Sequence, residues 1–275
     1  MSRAENTALT AIVTAAEGGG YTLPAELVDA YRTYQRVKEL KIETPPTLDA
    51  ETAAARIVSA TASGETADLT AMAVEVAEIE LSRHRHAEAQ HILQLAVEQA
   101  GHKATILCSD LTEKIITEHL RPALKKLHEQ AREVRAMLDG YDIDNPHTIV
   151  TAPTKVRNAY GQLPELVARR SAIFTARSRV NFIGHREPKH DASGLYIELE
   201  TPLALSPSWK PPARIPPIPA PEDPTARLLW VVGPEAAIAK PWLPTRDEQD
   251  TAWWEQFGDR QSRNQNSADH VRAMA

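Results

Sequence analysis

The sequence predicts a mainly α-helical chain. A long antiparallel, coiled-coil-like helical hairpin with additional helices leads into a Pro-rich extended C-terminal arm carrying small β elements. Three observations predict this. Long stretches without glycine, interrupted by proline only at Pro122, repeat apolar residues at helical spacing. One of them carries a heptad seam. Prolines, by contrast, crowd toward the C-terminus, with 12 of the 20 between Pro202 and Pro244. Composition agrees: 42% hydrophobic content suffices for a core, while 5% aromatics and 11 glycines point to aliphatic side chains packed between helices.

Residues 1–145 read as a helical region. A first helix, about 4–16, stops at Gly18, Gly19 and Gly20, which cannot continue it cheaply. A second follows in "TLPAELVDAYRTYQRVKEL", with Thr22 as cap, Pro24 in the first turn, and Leu27, Tyr31, Tyr34 and Val37 on one face. "TPPT" breaks it, and "LDAETAAARIVSATAS" makes a third before Gly64. The two long elements are 66–100 and 109–138. Asp110 and Glu113 stand in capping-box spacing at the start of the latter. Within it Leu120, Leu124, Leu127, Ala131, Val134 and Leu138 recur at alternating steps of four and three. A partial seam in the former runs through Leu69, Met72, Val76 and Ile79 and resumes at Leu93 and Val97. Gly101 and His102 stand where the hairpin (about 66–138) would turn, and Pro122 predicts a kink or restart near Arg121.

Residues 146–193 form a basic helical segment. Between Lys155 and His190 eight Lys or Arg face only Glu165 and Glu187, and a helix is expected from Pro164 through "LPELVARRSAIFTARSRV". Residues 194–275 form the arm, rich in proline and tryptophan, with short strands expected in "GLYIELET" and "RLLWVV" and a loose polar end. Trp209 and Trp230 carry large apolar surfaces that are costly to leave in water, so they are expected in grooves of the helices or of a neighbouring subunit. The seams lie upstream, so deleting 202–275 is expected to leave the helices folded while weakening assembly.

Several patterns resemble sites. In "SRHRHAEAQH" His84, Glu88 and His91 share a helical face, and Glu88 with His91 has the Glu-x-x-His spacing of carboxylate-bridged metal bundles. His84 and His91 are about 10 Å apart along the axis, too far for one ion, and on the next long stretch His119 and His128 follow Ile116 and Lys125 at that offset rather than a glutamate. A polar stripe is the simpler reading. "LDGYDIDNPH" lacks the ligand spacing of a helix–loop–helix calcium site, and Gly140 reads instead as a helix end. Glycines 18–20 have no following Lys-Ser or Lys-Thr, and no nucleophile elbow, zincin or dinucleotide motif is present. Lys155, Arg157, Arg169, Arg170, Arg177 and Arg179 are candidate contacts for nucleic-acid phosphates or for an acidic protein surface.

Charge and cysteine content narrow the classes. A net charge of −6 gives no general attraction to nucleic acid or an anionic membrane. Cys108, the one cysteine, excludes an internal disulfide and a cysteine zinc cluster, which points to a reducing compartment. The first 20 residues make a poor signal peptide, and no stretch has the roughly 20 apolar residues of a bilayer span. The expectation is a non-enzymatic structural, assembly or adaptor protein of the cytoplasm. No cofactor or membrane is expected, and its partners would be copies of itself or a larger complex. The interaction residues would be Leu120, Leu124, Leu127, Val134, Leu138, Trp209 and Trp230. An Ala-, Thr- and Arg-rich composition suits a phage virion or phage-assembly component of a high-GC host. Nucleic-acid binding through 155–190 is the second reading, and a helical-bundle metalloenzyme using Glu88 and His91 the third.

Overall fold

The computed structural model describes residues 3–44, 50–63, 68–143, 145–185, 197–206 and 218–255. The described residues are helix, turn and coil, with no strand and a single isolated antiparallel bridge between Leu199 and Pro241, so the fold is mainly α. The helices are α1 (Arg3–Glu17), α2 (Ala25–Glu39), α3 (Ala50–Ala62), α4 (Leu69–Asp110), α5 (Thr112–Lys114), α6 (Arg121–Leu138), α7 (Pro146–Thr151), α8 (Thr154–Ile183), α9 (Pro224–Val231) and α10 (Pro234–Ala237). A π turn, Ile115–Leu120, joins α5 to α6, and 246–255 are also helical. Two compact units result. One is Asp29–Ala104; the other combines Ser2–Val28 with Thr105–Ala275.

The glycine run ends α1 as expected. Gly19 takes φ +82, Gly20 N–H reaches Ala15 O at 3.4 Å and Gly19 N–H reaches Ala16 O at 2.9 Å, the paired bonds that close a helix on a left-handed residue. Leu9, Ile12 and Val13 of α1 are fully buried, and α1 packs on α8. Thr22 does not cap α2, which begins at Ala25; its hydroxyl meets His119 Nδ1 at 2.9 Å instead. Leu27, Tyr31 and Tyr34 are buried along α2, and Val37 is half-buried.

No turn occurs at Gly101 and His102. Leu69–Asp110 is one 42-residue helix, because a lone glycine costs only about 1 kcal/mol among good helix formers. Asp110 is its last residue rather than the cap of the next helix, so the capping box does not form. The break falls at Leu111, with φ −90 and ψ 7. Beside it Thr112 Oγ1 donates to Cys108 O at 3.2 Å, a back-bond that bends helices. The disturbance expected near Arg121 takes the form of the π turn. Pro122 has no N–H, and its ring would strike the Glu118 carbonyl; the wider turn, with Arg121 N–H on Ile116 O, moves that carbonyl aside.

Leu120, Leu124, Leu127, Ala131, Val134 and Leu138 are all buried, as the heptad spacing predicts. Their principal partner is α8, not the helix at 66–100. α8 itself starts ten residues before the expected Pro164, which lies inside it on an exposed surface where the orphaned Tyr160 carbonyl can meet water. Buried positions on α8 are Val156, Ala159, Leu163, Leu166, Ile173 and Val180, the same alternation of three and four, with Arg170 and Arg177 filling the two gaps. The helices run antiparallel. Gln130 meets Arg169 midway, while Arg121 and Arg177 at the other end both reach the segment 243–249. The seam thus forms an antiparallel pair whose second member is the basic helix.

The arm also differs from expectation. "RLLWVV" is helical through Val231, within α9, because Asp223 Oδ1 caps Ala226 N–H at 2.8 Å and Pro224 opens the first turn. The described end of "GLYIELET" makes a bridge rather than a strand. Glu200 N–H and Thr201 N–H bond to Lys240 O and Ala239 O, but Pro241 has no N–H to return and Pro202 starts a 3-10 turn. Trp209 lies outside the described residues, and Trp230 is half-buried on α9. α9 packs against both α6 and α8 of the same chain.

Leu127 is fully buried and Leu124 nearly so. Replacing either with Ala is expected to lower unfolding free energy by about 2–5 kcal/mol in urea titrations. A loss below about 1 kcal/mol at both positions would contradict the α6–α8 seam.

Candidate functional site

Two places hold chemistry or surface beyond ordinary packing: the arginine-bearing stretch of α8 and the long helix α4.

On α8, helical spacing carries Arg170 and Arg177 into the seam, where a guanidinium must find partners or be excluded. Both find them in the C-terminal segment. Arg177 Nε donates to Pro244 O at 2.6 Å and Nη2 to Gln249 Oε1. Arg170 pairs with Glu198 and lies 5.0 Å from the Phe174 ring centroid. Arg227 joins from the far side, with Nε and Nη2 on Glu198 Oε2 at 2.9 and 2.7 Å. Burial, and for Arg170 the nearby Arg227, lowers both guanidinium pKa values to about 10; both stay charged at neutral pH. On α6, Arg135 Nη1 caps Leu229 O at 2.6 Å and grips Glu235 with both Nη atoms at 3.0 and 2.8 Å. Arg121 holds Leu243 O and Glu248. Four arginines therefore fasten Glu198 and the stretch 229–249 to the α6–α8 pair. Removing 202–275, the deletion expected to leave the helices folded, would keep Glu198 beside Arg170 but take Pro244 O and Gln249 from the buried Arg177.

The six basic candidates consequently divide. Arg170 and Arg177 are consumed internally, and Arg169 Nη1 donates to Gln130 Oε1 at 3.0 Å. Lys155 and Arg157 are exposed at the start of α8, Arg157 bonding back to Thr154 Oγ1 at 3.2 Å. Arg179 is half-buried and lines an open cleft of about 530 Å³ with Ala4, Thr7 and Ala8. The described cations do not form one continuous phosphate-binding face.

His128 is buried in α6 beside this cluster. Burial, then Arg170 and Arg132, push its pKa down to about 4. Cys108 is buried, and burial pushes its thiol up to about 12, far from thiolate chemistry at neutral pH. Sequence reasoning missed Glu198, Arg135 and Arg121. Nothing in their local spacing marks them, because their partners are about 30 to 130 residues away.

On α4, His84, Glu88 and His91 are exposed, and His86 accepts from Gln90 Nε2 at 2.8 Å one turn on. Among the described residues no group of three His, Cys, Asp or Glu is placed to hold a metal ion, and no helix is long and apolar enough to cross a membrane. The same helix exposes several large apolar side chains: Leu69, Val74, Leu81, Ile92, Leu95 and Ile106. No protein-family model, curated protein or solved structure matches the chain.

Two outcomes are expected. The neutral His128 imidazole is favoured in the folded chain, so its contribution is complete above the ordinary value of 6.5 and is lost as pH falls from there toward 4, about 3 kcal/mol in all. Urea titrations should show the stability of wild type falling against that of His128→Leu across this window; parallel curves would contradict it. Glu198→Gln leaves Arg170 and Arg227 without a counter-charge and should cost about 3 kcal/mol. Amide exchange in 198–249 should accelerate, and unchanged protection there would refute the fastening role.

Proposed function

We propose that this chain is a non-enzymatic assembly or adaptor protein that works through protein–protein contacts within a larger complex. The observation that carries the reading is α4, a 42-residue helix about 63 Å long that exposes six large aliphatic side chains. Aliphatic surface repeated along one rigid rod is characteristic of a contact completed by a partner. The internal use of Arg169, Arg170 and Arg177 supports the same reading, because it removes half of the basic candidates from competition for phosphate. The nucleic-acid reading keeps Lys155, Arg157 and Arg179.

Coiled-coil-like packing is proposed for the antiparallel α6–α8 pair instead of the hairpin expected at 66–138, on the alternating spacing of the buried residues on the two helices. A cytoplasmically assembled virion or phage-assembly intermediate is the proposed setting, on composition and architecture alone.

Native mass measurement of the chain purified from its source is expected to show a complex of defined stoichiometry. A single-chain mass accompanied by tight, salt-dependent binding to duplex DNA would overturn the assembly reading in favour of the nucleic-acid one.

A further inference from the structure

At 100° per residue, Val74, Leu81, Ile92 and Leu95 of α4 fall within an arc of about 60°. They are 52, 48, 63 and 44% exposed. The half-buried residues Met72, Val76, Ile79, Leu93 and Val97 occupy the opposite side of the helix. α4 therefore has one stripe of half-buried apolar residues and another turned to solvent. The "SRHRHAEAQH" stretch interrupts the outward stripe at its middle and places Arg85 and Glu88 on that same face, both exposed.

The order along this face is apolar, basic, acidic, apolar, and it is complementary to its own reverse. If a second α4 is laid antiparallel about a two-fold axis between His86 and Ala87, Arg85 of each copy stands opposite Glu88 of the other. The same register sets Leu81 opposite Ile92, and Leu95 between Val74 and Leu81 of the facing helix. One register satisfies the Arg85–Glu88 charges and the Leu81–Ile92 contacts together, with Leu95 facing the flanking Glu78. A parallel pairing would set Arg85 on Arg85 and Glu88 on Glu88, which is repulsive. Resting on the assembly reading, we infer that this face is where two copies of the chain pair antiparallel, with Leu81–Ile92 contacts flanking reciprocal Arg85–Glu88 pairs. The contact is isologous, so it closes at two copies. The polar centre of the stripe has a use in it: the two charge pairs fix direction and register, while the aliphatic residues supply most of the attraction.

Cysteine cross-linking tests the register, and the native Cys108 is buried and does not compete. Leu81→Cys mixed with Ile92→Cys should give a disulfide-linked dimer under mild oxidation. Leu81→Cys alone should not, because its two sulfurs would lie about 16 Å apart along the axis. Sedimentation should show the wild type as a dimer, Arg85→Glu shifted toward monomer, and Arg85→Glu with Glu88→Arg restored. All four positions are on the surface, so the helical circular-dichroism signal should stay unchanged. Efficient Leu81–Leu81 cross-links would overturn the antiparallel register. A dimer unaffected by Leu81→Asp with Ile92→Asp would place self-association on another face and overturn the inference. A wild-type chain that is monomeric at every concentration, yet is recovered from its source in a larger complex, would overturn the pairing and leave the assembly reading standing.

Discussion

Two guanidinium groups in an otherwise aliphatic seam set the terms for the second compact unit. Arg170 and Arg177 occupy positions on α8 where the three-four alternation calls for leucine or valine. A charge there is tolerable only when it is paired and hydrogen-bonded. The fold answers with Glu198, the Pro244 carbonyl and the Gln249 amide, all from beyond residue 197. The C-terminal segment is thereby part of the core of this unit rather than an appendage. Its helices α9 and α10, the bridge at Leu199 and the stretch 246–255 are held where these polar groups are required. Specificity is the gain: an aliphatic seam could slide by a turn, whereas buried guanidiniums have one set of partners.

Local signals were legible in the sequence. The glycine run ending α1, the left-handed Gly140 after α6, the disturbance ahead of Pro122 and the buried faces of Leu27–Tyr34 and Leu120–Leu138 each follow from a handful of neighbouring residues. The Asp223-Pro224 pair that starts α9 was equally local, but tryptophan and valine near it suggested a strand. Asp–Pro is a helix-opening signal that β-branched content does not override once Leu228, Leu229 and Val231 find a groove.

The pairings were not legible. A heptad seam states that a helix needs a partner without naming it, and two consecutive long helices suggested each other. The partner was α8, whose own seam is disguised by arginines at two of eight positions and by an internal proline. The same arginines, read in isolation, suggested phosphate contacts, because sequence spacing shows that a cation lies on a face and not what covers that face. The histidine stripe is a milder case: exposure follows from its polarity, but its place at the centre of an aliphatic stripe emerges only when the full length of α4 is drawn as one rod.

The second unit is discontinuous in the chain: α1 lies against α8, and all of Asp29–Ala104 separates their two halves. During synthesis Leu9, Ile12 and Val13 emerge long before the surface that buries them exists. At about 5–20 residues per second the ribosome needs roughly ten seconds or more to reach it. Closing so long a loop is entropically slow and raises the contact order of the unit. The interposed unit can form first, as a contiguous segment, while α1 waits with its apolar face uncovered. Folding in strict order of synthesis is thus closed to this stretch: α1 is made before the interposed unit and placed after it, and its interval of exposure is when a chaperone would matter most.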